Sequence, residues 1–225
     1  MKPKRSRFFV ISLTLVSFAT LLFSFSAVAP VFAKTYPENI EERKLLSLEE
    51  FTFGLIDGRA DALRGVYVPG VFALQIESQP DEKPAYVSED PGSATLFNNA
   101  IEYGNIGLLA HNTLSGKYFY NLQSGDEVWL VYGDGTLKHY MVTEIFHYQA
   151  LDPDSVYSDF VDLSSGETVT TSSVFHSMYG GDHHITFQTC IAQDDTVSWG
   201  RLFIHAMPVI ANIGFSGFMN SLSWQ

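Results

Sequence analysis

Glu127-Val-Trp-Leu-Val-Tyr132, then Gly133-Asp134-Gly135, then Leu137-Lys-His-Tyr-Met-Val-Thr-Glu-Ile-Phe146 read as two strands joined by a tight turn. Aromatic and β-branched runs on either side of an Asp-Gly pair are a strong hairpin signal, because the glycine supplies the positive φ that such turns need. The texture continues in both directions. Upstream, Val66 to Ile76 is apolar with Pro69-Gly70 inside it, and Pro80 to Pro91 is a polar loop. Downstream, His184 to Ile191 and Leu202 to Val209 read as two more apolar strands. The intervening Asp152 to Asp182 is rich in Ser, Thr and Gly and is too long for a plain connector, so a short helix and a mobile loop are expected there. Many short strands with little sustained helical periodicity give a mainly all-β class, a closed β-barrel or a sandwich.

The chain has 225 residues, enough for one well-buried core. Its first residues point to export. Lys2, Lys4, Arg5 and Arg7 precede an uncharged run from Phe8 to Ala33, the pattern of a secretory signal. Val31-Phe32-Ala33 suits a signal peptidase, whereas a cut after Ala29 would place Pro30 next. The run is also long enough to remain as a membrane anchor, and both outcomes leave the basic head inside and the rest outside. The expected organisation is a signal or anchor over 1–33, a helical spacer or arm over 34–65, a barrel over 66–210 and a tail over 211–225. The arm is acidic and helix-friendly, with Glu38, Glu41, Glu42, Glu49 and Glu50 around Leu45, Leu46, Leu48, Phe51 and Phe53. Four of the 13 Lys and Arg residues lie in the basic head, and the remainder face 25 Asp and Glu. No basic patch survives in the exported part, so nucleic acid is excluded as a partner.

The sequence has one cysteine, Cys190. Exported proteins usually pair their cysteines, so a single one signals an intermolecular bridge, a reactive thiol or a small buried hydrophobe. Two other residues share its context. His111 ends the apolar Ile106-Gly-Leu-Leu-Ala110 and opens the polar Asn112-Thr-Leu-Ser-Gly116, and Arg201 begins the strand Leu202-Phe-Ile-His-Ala206. Such a trio suits acyl transfer. The thiolate is the nucleophile, an imidazole favours it and later protonates a leaving amine, and a guanidinium offers rigid donors to an oxyanion.

At this point a family resemblance enters. Thr186-Phe187-Gln188-Thr189-Cys190 resembles the Thr-Leu-x-Thr-Cys signature of sortases, with Phe in place of Leu. Arg201, in Trp-Gly-Arg-Leu-Phe-Ile-His-Ala, is similarly placed to that family's catalytic arginine, and Leu109-Ala110-His111-Asn112 to its catalytic-histidine segment. Phe119 to Asp126, a strand pair carrying Tyr140, and Asp152-Pro153-Asp154 extend the resemblance over roughly Val66 to Val209. Ala110 stands where Gly is common in the family, and the Asp152 to His183 region matches poorly. The resemblance implies a sortase-type closed β-barrel with short helices and cysteine transpeptidation. Cys190 would attack a carbonyl in a C-terminal sorting motif of the Leu-Pro-x-Thr-Gly kind, His111 would protonate the departing amine, and Arg201 would hold substrate and oxyanion. The implied partners are the sorting-signal peptide of a secreted protein and an amine from cell-wall precursor or pilin, outside the cytoplasm. The subclass, sorting motif and acceptor stay open.

Thr189, Gln188 and Asn112 flank the trio and are the expected substrate-binding residues. No cofactor is expected: some sortases use calcium through acidic loops, but no ligand pattern is legible here. Asp182-His183-His184 is not read as a metal site, since adjacent strand residues point to opposite faces and no second ligand pair has suitable spacing. His205 falls on the same strand face as Phe203 and Arg201 and is read as a satisfied barrel histidine. Trp129 and Trp199 are read as packing residues, and Asp126 as a turn former. Two other functions fit the composition: a non-catalytic surface binding protein on a sortase scaffold, and another cell-wall thiol transpeptidase. An L,D-transpeptidase would carry Ser-x-Gly-Cys, which Thr189-Cys190 lacks.

Overall fold

The structure, a computed structural model, describes residues 45–209. The expected signal or anchor, the first part of the expected arm and the expected C-terminal tail lie outside the described residues. No helix among the described residues is long and apolar enough to cross a membrane.

The hairpin forms where its residues dictate. Strand β5 spans Glu127–Tyr132 and β6 spans Leu137–Ala150. Asp134 accepts from the Thr136 amide at 2.8 Å, Gly135 takes φ 86°, and Tyr132 and Thr136 close the turn at 2.9 Å. Before the hairpin come β1 (Leu63–Val68), β2 (Phe72–Ser78), β3 (Ser93–Phe97) and β4 (Ile106–Leu109). After it come β7 (Phe160–Asp162), β8 (Thr168–Val169), β9 (Ile185–Gln193) and β10 (Thr196–Pro208). The strands follow one another in the order β10-β9-β4-β3-β2-β1-β5-β6, and β6 pairs back onto β10. Eight strands therefore close into a barrel, and β7 and β8 extend from the far end of β6. The fold is the mainly β closed barrel expected from the sequence. Two pairs are parallel, β2 with β3 and β4 with β9, and the rest are antiparallel.

The barrel interior is apolar and close-packed. Phe72, Phe119 and Phe187 meet at its centre, with ring centroids 5.2–6.0 Å apart. Burying each such ring contributes about 1.5–3 kcal/mol. Helix α1 (Leu48–Phe53) is all that the described residues show of helix in the expected arm. Ser47 and Glu50 cap it reciprocally, and Phe51 packs on Tyr67. The barrel begins three residues inside that expected arm, at Leu63, because Leu63 is itself buried in the core.

A second apolar layer lies outside the barrel. Helix α3 (Thr171–Tyr179), the next after the short α2 (Asn98–Glu102), occupies the polar stretch between β6 and β9, capped by the Thr170 hydroxyl, which accepts from the Ser173 amide at 3.2 Å. Its Val174, Met178 and Tyr179 pack with Tyr148, Phe160 and Phe203. This layer depends on a β-bulge. Ala206 pairs with Val142 but His205 with Glu144, so Thr143 is an extra residue and the alternation of β6 reverses there. Tyr140 and Val142 face inward, while Tyr148 and Ala150 face the outer layer.

Candidate active site

Cys190 lies on β9 directly opposite Arg201 of β10. Residues directly opposite in an antiparallel pair point to the same face, with Cβ atoms about 4.5–5.5 Å apart. That face is the outer one. Ile185 and Phe187 on β9, and Leu202, Ile204 and Ala206 on β10, belong to the interior core, so the alternate residues, Cys190 and Arg201 among them, look outward.

His111 reaches the same level from the other side. β4 runs parallel to β9 with Leu109 opposite Gln188, and the Ala110 amide donates to the Gln188 carbonyl at 3.2 Å. Two residues beyond that pair stand His111, past the end of β4, and Cys190, still on β9. There β4 ends in a turn, with the amides of Leu114 and Gly116 both donating to the His111 carbonyl at 2.9 Å. The three expected catalytic residues thus stand on neighbouring segments: His111 two residues past the end of β4, Cys190 on β9 and Arg201 on β10. His111 is exposed, and Cys190 and Arg201 are half-buried. Cys190 is a free thiol. The Arg201 Nη1 donates to the carbonyls of Ser198 and Gly200, both at 2.9 Å, which pins the guanidinium beside the β9–β10 turn.

The expected substrate-binding residues fare differently. Thr189 is 2% exposed, faces the barrel interior and donates its hydroxyl to the Ala110 carbonyl at 2.8 Å. It therefore braces β9 against the His111 turn, and the expectation that it contacts substrate is corrected. A side chain next to Cys190 in a strand must point to the opposite face. Gly116 completes this brace: a Cβ there would stand 2.2 Å from the Thr189 hydroxyl oxygen and 2.6 Å from the Ala110 carbonyl oxygen. Asn112 donates to the Val197 carbonyl at 2.8 Å and so ties the His111 turn to the start of β10. Gln188 shares the outer face with Cys190, but its side-chain oxygen accepts from the Tyr179 hydroxyl.

α3 is fastened along this outer face of β9. The Met178 carbonyl is met by the Thr186 hydroxyl at 2.5 Å, by His184 Nε2 at 2.9 Å and by His205 Nε2 at 3.1 Å. The Tyr179 carbonyl accepts from Asn105 at 2.8 Å. Burial pushes the Tyr179 hydroxyl far up from its ordinary value, so it stays a donor. Gly107 of β4 leaves room for that ring, since a Cβ would stand 3.0 Å from it. Outward positions 184, 186 and 188 are therefore all engaged by α3, and Cys190 is the next. None of these α3 contacts had a signal in the sequence beyond the expectation of a short helix. His205 is satisfied as expected; burial, and then the His184 ring at 4.4 Å, hold it down at about 4.

His183 bonds Tyr140 at 2.9 Å and the Gly104 carbonyl at 2.7 Å, while His184 turns the other way onto α3. Among the described residues, no group of three or more His, Cys, Asp or Glu is placed to hold a metal ion. An outer cleft of about 450 Å³ between β6, β10 and α3 includes Glu144, Asp162, Asp182 and His205 but none of the three expected catalytic residues. Trp129 stacks on His139 at 4.1 Å, a packing role as expected. Asp126 accepts from the Gln123 amide at 2.8 Å in its turn.

No protein-family model and no curated protein matches the chain. Solved structures similar to it include sortase C1 of GBS pilus island 1, at 15% identity and a TM-score of 0.41, over 67% of this chain and 66% of that one. The chain thus spans just under two thirds of that protein's length. Also similar are sortase C-1 from Actinomyces oris, at 17% identity and a TM-score of 0.43 over 67% of this chain and 75% of that one, and a Clostridium perfringens sortase D5 transpeptidase, at 19% and 0.40 over 73% and 90%.

Proposed function

We propose that this protein is a sortase-type cysteine transpeptidase acting outside the cytoplasm. The observation that supports the reading most is the register of three strands. Cys190 and Arg201 are directly opposed on the outer face, and β4, paired with β9 as far as Leu109 and Gln188, ends two residues before His111. In the proposed reaction the Cys190 thiolate attacks the carbonyl carbon of a peptide bond in a C-terminal sorting motif. The negative charge that develops on the carbonyl oxygen is met by the Arg201 guanidinium, whose Nη1 is held by two carbonyls. As the tetrahedral intermediate collapses, the C–N bond breaks and the His111 imidazolium gives its proton to the departing amine. A thioester on Cys190 results. An amine from cell-wall precursor or from a pilin then attacks that thioester, gives up a proton to His111, and releases the sulfur as thiolate; water is the slower acceptor. The sequence needs no cofactor, because nucleophile, acid and oxyanion donor are all side chains of this chain.

The test uses the purified full-length protein in detergent with peptides carrying Leu-Pro-x-Thr-Gly-type motifs. Intact-mass spectrometry is expected to show the acyl fragment on Cys190, and an added amine to discharge it. Turnover that persists in Cys190→Ala, or an adduct on another residue, overturns the proposal.

A further inference from the structure

Cys190 sits where a strand loses its neighbour. Carbonyls two residues apart on a strand point to the same side, and the Gln188 carbonyl accepts from the Ala110 amide of the β4 segment. The Cys190 carbonyl therefore points to the β4 side as well. Beyond Ala110 that side is empty of strand, because the chain turns away at His111 and closes on its own carbonyl. A backbone acceptor without its ladder partner is costly to leave unmet. Here the Tyr120 hydroxyl, from the 3-10 segment Ser115–Asn121 that follows the His111 turn, donates to the Cys190 carbonyl at 2.6 Å. The phenol thus takes the place of the missing strand amide, in the gap between the His111 turn and the nucleophile.

We propose that Tyr120 is a positioning residue for Cys190: its hydroxyl fixes the end of β9 to the His111 segment and so sets the thiol against His111 and Arg201. The role rests on the transpeptidase reading for its purpose but not for its test. Three ties then surround the site, from Thr189 to Ala110 inside the barrel, from Asn112 to Val197 at its rim, and from Tyr120 to Cys190 itself. Only the last touches the nucleophile's own peptide.

Because the chain has a single cysteine, the rate of alkylation by iodoacetamide reports Cys190 alone. The experiment compares the full-length protein with Tyr120→Phe, which keeps the ring and removes the donor. Tyr118→Phe, a change in the same segment at a residue packed on the core, is the control. Tyr120→Phe is expected to change the rate of Cys190 alkylation at fixed pH by about threefold or more and to lower kcat for thioacyl formation about tenfold, with KM little changed. Tyr118→Phe is expected to alter neither. A merely structural bond would lower the denaturation midpoint and leave the alkylation rate and kcat in place, and that result overturns the proposal. If the wild-type protein forms no thioacyl adduct while Tyr120→Phe alone still changes the alkylation rate, the transpeptidase reading fails and the positioning role stands.

Discussion

The two faces of β9 are one strand with two occupations. Inward, Ile185, Phe187 and Thr189 are 0–2% exposed and locked into the barrel. Outward, His184, Thr186 and Gln188 hold the end of α3 through hydrogen bonds, and Cys190 continues the row with its thiol free. The period of two that separates these faces lets stability and chemistry sit on adjacent residues with little shared cost. Disturbing the inner face should therefore unfold the protein, and disturbing the outer face should change what it does.

The largest effect is expected from Phe187→Ala. It removes one of three central rings and should cost about 3–5 kcal/mol in urea denaturation. A loss below about 1 kcal/mol would mean that the interior is not packed around it.

Acid comes next. The folded value of His205, about 4, lies below its unfolded 6.5. The neutral ring's contribution is therefore whole above about pH 6.5 and is lost as the pH falls toward 4. The slope is at most about 1.4 kcal/mol per pH unit, or about 2 kcal/mol by pH 5. A His205→Gln variant should flatten that part of the stability–pH curve, and an unchanged slope would place the titration elsewhere.

Tyr179→Phe removes the hydroxyl that holds Gln188 and should cost about 1 kcal/mol. Its sharper readout is hydrogen exchange, which should rise in α3 and leave the barrel amides protected.

The smallest change in stability, within about 0.5 kcal/mol, is expected for Cys190→Ser, although this substitution should abolish both alkylation and the thioacyl adduct. Destabilisation comparable with Phe187→Ala would erase the contrast between the faces.

Much of this was legible in the sequence for local reasons. The β5–β6 hairpin has its turn chemistry written at Asp134-Gly135, and β5 starts and ends where its aromatic and β-branched run does. Cys190, His111 and Arg201 stand out by type and context, but the strand limits differ from those expected: β10 starts at Thr196, so Arg201 lies within it rather than at its start, and β9 runs on past Cys190 to Gln193. The long-range features were hidden. Plain alternation along β6 would put Phe146 and Tyr148 on the same face as Tyr140, and only the bulge at Thr143 reverses them. The parallel pairing of β4 with β9 leaves no local trace, and neither does the bond between Tyr120 and Cys190, 70 residues apart. Thr189 is different. Its inward direction follows from its adjacency to an outward Cys190, so alternation alone was enough to remove it from the substrate side.

The parallel pairing of β4 with β9 also sets an order of assembly. Cys190 and Arg201 belong to one hairpin, which can form early from neighbouring residues. The brace from Thr189 to Ala110 joins positions 79 residues apart, and closing a loop of that length costs about 4 kcal/mol of chain entropy before any contact returns it. Non-local pairing of this kind is slow. A folding chain therefore brings Cys190 beside Arg201 before the His111 segment arrives, and the three come together only once the barrel has closed. In such a chain the completed site is itself the mark of a completed fold.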